Sequence, residues 1–293
     1  MWAALGVVYL VWGGTYLAIR VMVETVPALL GAGVRFVVAG TLLLALLAAR
    51  RGIRRTSITR AQAARLALIG ALLAAGGNGL VTVAEKHVPS ALAALLVASV
   101  PLWVVVFRLL SGDRPARGTI GGVALGFAGV ALLLLPGSRP DGVELVPALV
   151  VVLAAMSWGL GSLISQRVEL PRDPLVSTGW QMLFGGVVLL VMALLAGETS
   201  SVDVAAISAK SAWGLAFLIL IGSVLAYSAY TWLLQNAPIS QVTTYAYVNP
   251  VVAVILGAAI LDEHIPPMML AASVLIIGAV WLIVRFEARS RIR

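Results

Sequence analysis

Residues 236–250 read NAPISQVTTYAYVNP, and residues 87–101 read HVPSALAALLVASVP. A slide of 149 residues lays one on the other, with Pro89 on Pro238 and Pro101 on Pro250. The same slide brings Asp113 onto Asp262 and Gly129 onto Gly278. A slide of 146 residues puts Trp12-Gly13 on Trp158-Gly159, Gly33 on Gly179 and Gly40 on Gly186. One nearly constant offset across so much of the chain marks a duplicated unit, with a first half 1–145 and a second half 146–293.

The two matched stretches lie in strongly apolar surroundings. The chain has 293 residues, 61% hydrophobic and 11% charged, with a mean hydropathy of +1.05. A soluble domain carries about a quarter charged residues, so this chain lacks the polar surface to cover a core in water. Its environment is a lipid bilayer. The net charge of +8 does not point to nucleic acid, because the arginines fall in short clusters between apolar runs, as topology-setting loops do. There is no cysteine, which excludes disulfides and thiolate metal sites. The first apolar run is followed by Arg20 rather than a small-residue cleavage site, and reads as an uncleaved span.

A helix crosses the ~30 Å hydrocarbon layer with ~20 residues. Ten segments qualify: 2–19, 29–49, 66–85, 90–110, 118–136, 146–166, 177–196, 211–235, 238–261 and 267–284. The runs are continuous rather than alternating, which predicts an all-α membrane protein and not a β-barrel. Each half holds five spans. Five is odd, so the halves enter the membrane in opposite directions. Inverted repeats of this kind are a transporter architecture, with the substrate site near mid-membrane at the repeat interface. Loops on the side of both termini carry 15 lysines and arginines; the opposite side carries four, namely Arg20, Lys86, Arg139 and Lys210. That bias predicts cytoplasmic termini in a bacterial-type inner membrane.

The opening VWGGTYLAIR (11–20), the second-span stretch PALLGAGVRFVVAG (27–40) and the close YVNPVVAVILGAAILDEHIPPMMLAASVLIIGAV (247–280) resemble the drug/metabolite transporter superfamily. The nearer likeness is to its ten-helix EamA-type branch of bacterial exporters, and it covers essentially the whole chain. The resemblance implies transport. It also implies amino acids, aromatic ones among them, as one substrate class of the branch. Members often open the last span with a Gly-Glu pair. The matching position here reads Asp262-Glu263, and its first-half counterpart reads Asp113-Arg114, so an acid there is not required twice.

Residues at i, i+3, i+4 and i+7 share a helix face. Tyr9, Trp12 and Tyr16 form one stripe, echoed by Trp158, Ser162 and Ser165. Asn78, Thr82 and Glu85 share a face in the third span; Tyr227, Tyr230, Thr231 and Leu234 share one in the eighth. The offset puts Asn78 on Tyr227 and Thr82 on Thr231. In the ninth span Thr243, Tyr247 and Pro250 share a face, and Tyr245 and Asn249 another. Proline lacks the donor for the carbonyl four residues back and pushes its predecessor off helical geometry. A break at Asn249-Pro250, and its mirror at Pro101 with Ser99 and Trp103 beside it, is therefore expected. Irregular backbone at depth survives only against protein or a watery cavity. Trp12, Tyr16, Asn78, Thr82, Ser99, Trp103, Trp158, Ser162, Tyr227, Tyr230, Thr231, Thr243, Tyr247 and Asn249 are thus the candidate lining, from spans 1, 3, 4, 6, 8 and 9. The competing reading is packing, with hydroxyls bonded to their own backbone and Trp2, Trp213 and Trp281 as interfacial anchors.

Such a lining has aromatic faces, hydroxyls and amides and almost no fixed charge. It suits a neutral or zwitterionic small molecule, an amino acid first, with drugs or nucleobases as alternatives; a channel or a scaffold is the reading from another class. Arg35, about eight residues (~12 Å) into its span, is expected to be structural, snorkelling outward or pairing with Glu24 or Glu85. Glu85, His87, Asp262, Glu263 and His264 are expected as solvated charges at the loop ends. No P-loop, nucleophile triad or metal cluster is legible, so no enzyme, cofactor or ATPase subunit is expected. Facilitated, gradient-driven movement is favoured over proton coupling. Gly118, Gly122 and Gly126 form a small-residue face in the fifth span, for rocking contacts or a dimer surface, and Gly70, Ala74 and Asn78 form another in the third.

Overall fold

The computed structural model describes residues 1–135, 140, 142–263 and 265–290. Every regular element among them is helical, and ten helices are long and apolar enough to cross a bilayer. They are Trp2–Met22 (span 1), Ala28–Arg51 (span 2), Arg60–Ala84 (span 3), Ser90–Leu110 (span 4) and Arg117–Leu134 (span 5). Leu145–Arg167 (span 6), Pro174–Leu195 (span 7), Ala209–Asn236 (span 8), Ile239–Ile260 (span 9) and Pro267–Glu287 (span 10) complete the set. The even number returns the chain to one face, called the terminal face below. Of the charges counted above, Arg139, Arg291, Arg293 and His264 lie outside the described residues.

Span 3 begins six residues before its expected start. Thr59 accepts from the Gln62 amide at 3.2 Å and Gln62 accepts from the Thr59 amide at 3.0 Å. This capping box satisfies two donors at the helix end and starts the helix in a polar stretch that hydropathy passes over.

The packing follows an exchange of the halves. Span 2 lies along span 7, and span 5 along span 10. Span 1 packs on spans 8 and 9, and its counterpart span 6 packs on spans 3 and 4; spans 4 and 9 meet each other. Glycine makes the closest approaches. A Cβ on Gly40 would stand 2.7 Å from the Gly179 carbonyl oxygen, and one on Gly70 would stand 2.3 Å from the Gln181 carbonyl oxygen. Small residues let main chains touch where lipid offers no hydrophobic drive between helices. Gly118, Gly122 and Gly126 are covered from within the same chain, by Phe286, Ile283 and Ala279 of span 10, with Leu102 of span 4 also against Gly126. That face is an intrachain contact rather than a dimer surface.

Two departures from α-helical geometry matter for function. Ala71–Gly79 of span 3 and Leu218–Tyr227 of span 8 are π-helical, and the 149-residue slide nearly superposes them. A π segment hydrogen-bonds i to i+5 and turns the following residues away from the 3.6-residue pattern; such segments concentrate at functional sites. Spans 4 and 9 are both broken, but differently. Span 4 breaks at Ala98–Ser99, just upstream of the expected position, and Val100 and Pro101 open the next helix. Span 9 breaks at Thr243–Thr244, and Pro250 sits inside the helix Tyr245–Ile260 with Asn249 helical before it. The expected break at Asn249-Pro250 is thus displaced toward the terminal face. The Thr244 hydroxyl donates to the Gln241 carbonyl at 2.6 Å and the Ala246 amide to the Thr243 carbonyl at 3.1 Å, so the threonine pair supplies the turn.

Candidate functional site

Span 1 presents Trp12, Thr15, Tyr16 and Ile19, and span 3 presents Gly77, Asn78 and Val81, to one cavity. Val97 of span 4, Ala154, Ala155 and Trp158 of span 6, and Tyr245 of span 9 close its wall. The lining is mostly apolar with a few placed polar groups, the composition of small-molecule sites. The cavity runs from an aromatic cluster toward the face opposite the termini, since Ile19 and Val81 stand near the ends of their spans on that side.

The cluster is built on Trp12 and Trp158. Their rings meet edge to face at 5.3 Å, Trp12 lies 4.9 Å from Tyr230 and 5.4 Å from Tyr245, and Trp158 lies 5.9 Å from Tyr227. Trp158 donates its Nε1–H to Tyr230 Oη at 2.9 Å. Tyr230 Oη and Ser162 Oγ are 2.6 Å apart, and Ser162 Oγ lies 2.6 Å from the Trp158 carbonyl. One proton arrangement satisfies the ring: Trp158 donates to Tyr230, Tyr230 to Ser162, and Ser162 to the Trp158 carbonyl. The π segments accept from the opposite half. Trp12 Nε1–H donates to the Gly222 carbonyl at 3.2 Å, and Ser157 Oγ donates to the Leu72 carbonyl at 2.8 Å. Those carbonyls take a side-chain donor where α-helical pairing is interrupted.

Of the expected lining, Trp12, Tyr16, Asn78 and Trp158 face the cavity. Tyr227 and Tyr230 are fully buried and back the cluster, so span 8 supports the wall without reaching it. Ser162 supports it through Tyr230. Packing wins for Thr82, Ser99 and Thr243, whose hydroxyls point to the carbonyls of Asn78, Leu96 and Ser240 at 2.8, 2.6 and 3.5 Å. Thr231 and Asn249 are buried outside the lining. Trp103 packs on Phe107 and Phe127 beside span 5, and Tyr247 is half-buried away from the cavity. In span 3 the wall holds Gly77 and Val81 beside Asn78, while the Thr82 hydroxyl turns to the Asn78 carbonyl. Thr15 and Ile19 lie on the stripe of Trp12 and Tyr16 and were within reach of the periodicity. Ala154 and Ala155 are too small to announce themselves. Tyr245 is aimed inward by the displaced break.

Arg35 neither snorkels nor pairs with a carboxylate. It is 2% exposed; its Nε donates to Ser223 Oγ at 2.8 Å, and Nη1 reaches Asn78 Oδ1 at 3.5 Å. Its guanidinium lies over the Phe36 ring at 4.7 Å. Glu85, directly after span 3, is not solvated either: it is fully buried. Burial pushes its carboxyl well above the usual carboxylate range; nearby Glu263 acts in the same direction, while Arg20 and Arg35 oppose. Glu263 accepts from the amides of Ser90 and Ala91 at 2.7 and 3.0 Å, capping the start of span 4 rather than facing water. His87 is exposed as expected.

The Asp262-Glu263 pair also finds its geometry. Asp262 has φ of 52°, in the left-handed region that glycine adopts freely, which accounts for a Gly-Glu pair elsewhere. In the first half the left-handed residue is Gly112, with φ of 88°. Backbone geometry therefore pairs Gly112 with Asp262 and Asp113 with Glu263. An acid does occur at this point in both halves, contrary to the residue-by-residue slide. Asp113 accepts from Arg108 and Arg167, each at 3.0 Å, and Arg108 also pairs with Glu287.

Ten spans, broken helices at spans 4 and 9 and a cavity lined from spans 1, 3, 4, 6 and 9 are the architecture of a membrane transporter of the drug/metabolite type. The sequence profile of the EamA-like transporter family matches residues 1–135 and again 145–285, and the chain belongs to that family. It is 39% identical over 287 residues to the inner membrane transporter YedA of Escherichia coli (strain K12), covering 97% of this chain and 90% of that one. It is 25% identical to the transporter YoaV of Bacillus subtilis, over 94% and 93% of the two chains. It is 24% identical to the "Probable amino-acid metabolite efflux pump" of Salmonella typhimurium, over 94% and 91%. A crystal structure 20% identical in sequence superposes with a TM-score of 0.68 over 96% of both chains, which shows the shared fold.

Proposed function

We propose that this chain exports neutral or zwitterionic small molecules, foremost amino acids with aromatic or other hydrophobic side chains, by alternating access. The carrying observation is the cavity itself. Trp12, Tyr16, Trp158 and Tyr245 offer ring faces and edges, and Asn78 offers an amide with the Arg35 charge directly behind it. Ring contacts contribute ~0.5–1.5 kcal/mol beyond burial, enough for binding that still releases. A buried guanidinium with no ion pair among the described residues favours a substrate carboxylate nearby. The Salmonella relative's name supports the amino-acid reading, and the name of the Escherichia coli relative supports an inner-membrane location. The excess of arginine at the terminal face supports cytoplasmic termini. The profile's two matches support halves 1–145 and 146–293 acting as two rocking units, with transport and not catalysis as the role.

Counterflow of labelled phenylalanine, tryptophan or threonine into liposomes holding the purified protein tests the reading. Saturable uptake, blocked by unlabelled competitor, is expected. Saturable flux of a nucleobase or a drug with no amino-acid flux would replace the substrate class. Flux without saturation would replace the carrier with a channel, and no flux of any solute would leave a scaffold.

A further inference from the structure

Glu85 follows span 3 one helical turn beyond Val81, where the cavity wall ends. It is 0% exposed, and both of its carboxyl oxygens lack a hydrogen-bond partner. Three donors beside it bond other acceptors. Arg20 of span 1 donates to the Glu85 main-chain carbonyl instead of the carboxyl. The Ser90 and Ala91 amides go to Glu263. The groups facing the carboxyl are Tyr16 and Arg20 from span 1, Arg35 from span 2 and Glu263 from the turn before span 10. Span 6, packed alongside, has no charged residue from Leu145 to Gln166, and span 4 has none from Ser90 to Phe107. Lys86 and His87 beside it are exposed.

An ionised carboxylate without donors at such a site costs several kcal/mol, and protonation removes most of that cost. The two arginines keep the group titratable rather than permanently neutral. On the far side of Arg20 a recess lined by Arg20, Val23, Glu24 and Lys86 opens at the face opposite the termini. Arg20 belongs both to that recess and to the contact of span 1 with the end of span 3, where it bonds the Glu85 main-chain carbonyl.

We propose that Glu85 is the proton site of this transporter, protonated in the form seen here, which closes off its carboxyl from water, and exchanging its proton with water when span 1 parts from the end of span 3. This rests on the transport reading above. A proton held more tightly by the closed form shifts the balance toward closure. Acid at the face opposite the termini therefore drives the emptied carrier shut and returns it to the terminal face. There a substrate entering the cavity displaces the proton from the carboxyl oxygen to cavity water, so that one proton moves against one substrate. An inward proton gradient then drives export.

Two measurements test this, one of them independent of substrate. The first is the melting temperature of the purified protein against pH, for wild type and Glu85→Gln. A carboxyl whose folded pKa lies above its unfolded value contributes stability that is fully present below the unfolded pKa. That contribution is lost as pH rises through the folded pKa. Wild type should lose melting temperature through that upper window, and Glu85→Gln should lack the decline; superimposable profiles would overturn the proposal. Glu24→Gln, altering an exposed pair with Lys210, should follow wild type. The second is phenylalanine flux in liposomes, taken as the ratio with and without a pH gradient. A ratio of severalfold in wild type and near unity in Glu85→Gln is expected, and an unchanged ratio in the variant would overturn the assignment. Absence of phenylalanine flux in wild type counts against the amino-acid reading alone, because the melting profile still decides Glu85.

Discussion

Trp12 and Trp158 meet edge to face with ring centroids 5.3 Å apart, and they are the same position of the two halves under the 146-residue slide. The duplication thus brings two copies of one side chain into contact at the floor of the cavity. Each holds its orientation differently: Trp12 through a π-segment carbonyl and Trp158 through Tyr230.

Tyr230→Phe should disorganise that floor without emptying it. It leaves the Trp158 N–H without its acceptor and removes the link to Ser162. A buried donor left unsatisfied costs ~1–3 kcal/mol. A lower melting temperature and a reduced flux are expected, with Thr231→Val as a neighbour whose hydroxyl lacks a partner and whose loss should cost less.

Asn78→Ala tests the one cavity amide. Its carbonyl oxygen faces Arg35 and its position lines the cavity. The substitution should raise the half-saturation concentration severalfold. Ser223→Ala removes the nearer Arg35 acceptor, at 2.8 Å, and hydrogen bonds to charged groups are worth ~1.5–3 kcal/mol. It should therefore cost more stability than Asn78→Ala, as read by thermal unfolding in detergent.

Gly70→Ala and Gly121→Ala separate close contact from composition. A Cβ at Gly70 meets a main-chain oxygen at 2.3 Å, and one at Gly121 meets nothing within 4 Å. Overpacking against backbone costs ~1–3 kcal/mol, so Gly70→Ala should melt lower and Gly121→Ala should match wild type.

Asp262→Gly should raise the melting temperature. Left-handed geometry strains residues that carry a Cβ by up to ~1–2 kcal/mol, and glycine relieves it while Glu263 keeps its two amides. Gly112→Val should do the opposite at the mirrored turn. Equal effects of the two changes would show that φ is not the controlling variable.

Much of the architecture was legible because bilayer spans are long apolar runs with short loops, and the repeat showed through Trp12, Trp158 and the paired prolines. The start of span 3 was lost because Thr59 and Gln62 act through hydrogen bonds, which hydropathy does not register. The site was half legible. Trp12, Tyr16, Asn78 and Trp158 follow from helical periodicity and repeat equivalence. Gly77 and Val81 share helical spacing with Asn78 but carry no polar group to single them out, and Tyr245 follows a threonine-made break in its span. The fates of Arg35 and Glu85 were hidden for another reason. Depth along a span says how far a charge is from water only if neighbours do not close over it, and here spans 1 and 8 do.

The halves touch through main chain at Gly40 and Gly179 and at Gly70 and Gly185. A seam made of backbone carries no side-chain code. Two halves joined in this way can differ almost everywhere else: the first carries Arg35 and Glu85, and the second Tyr230 and Tyr245. Asymmetric recognition can in this way arise within a symmetric frame.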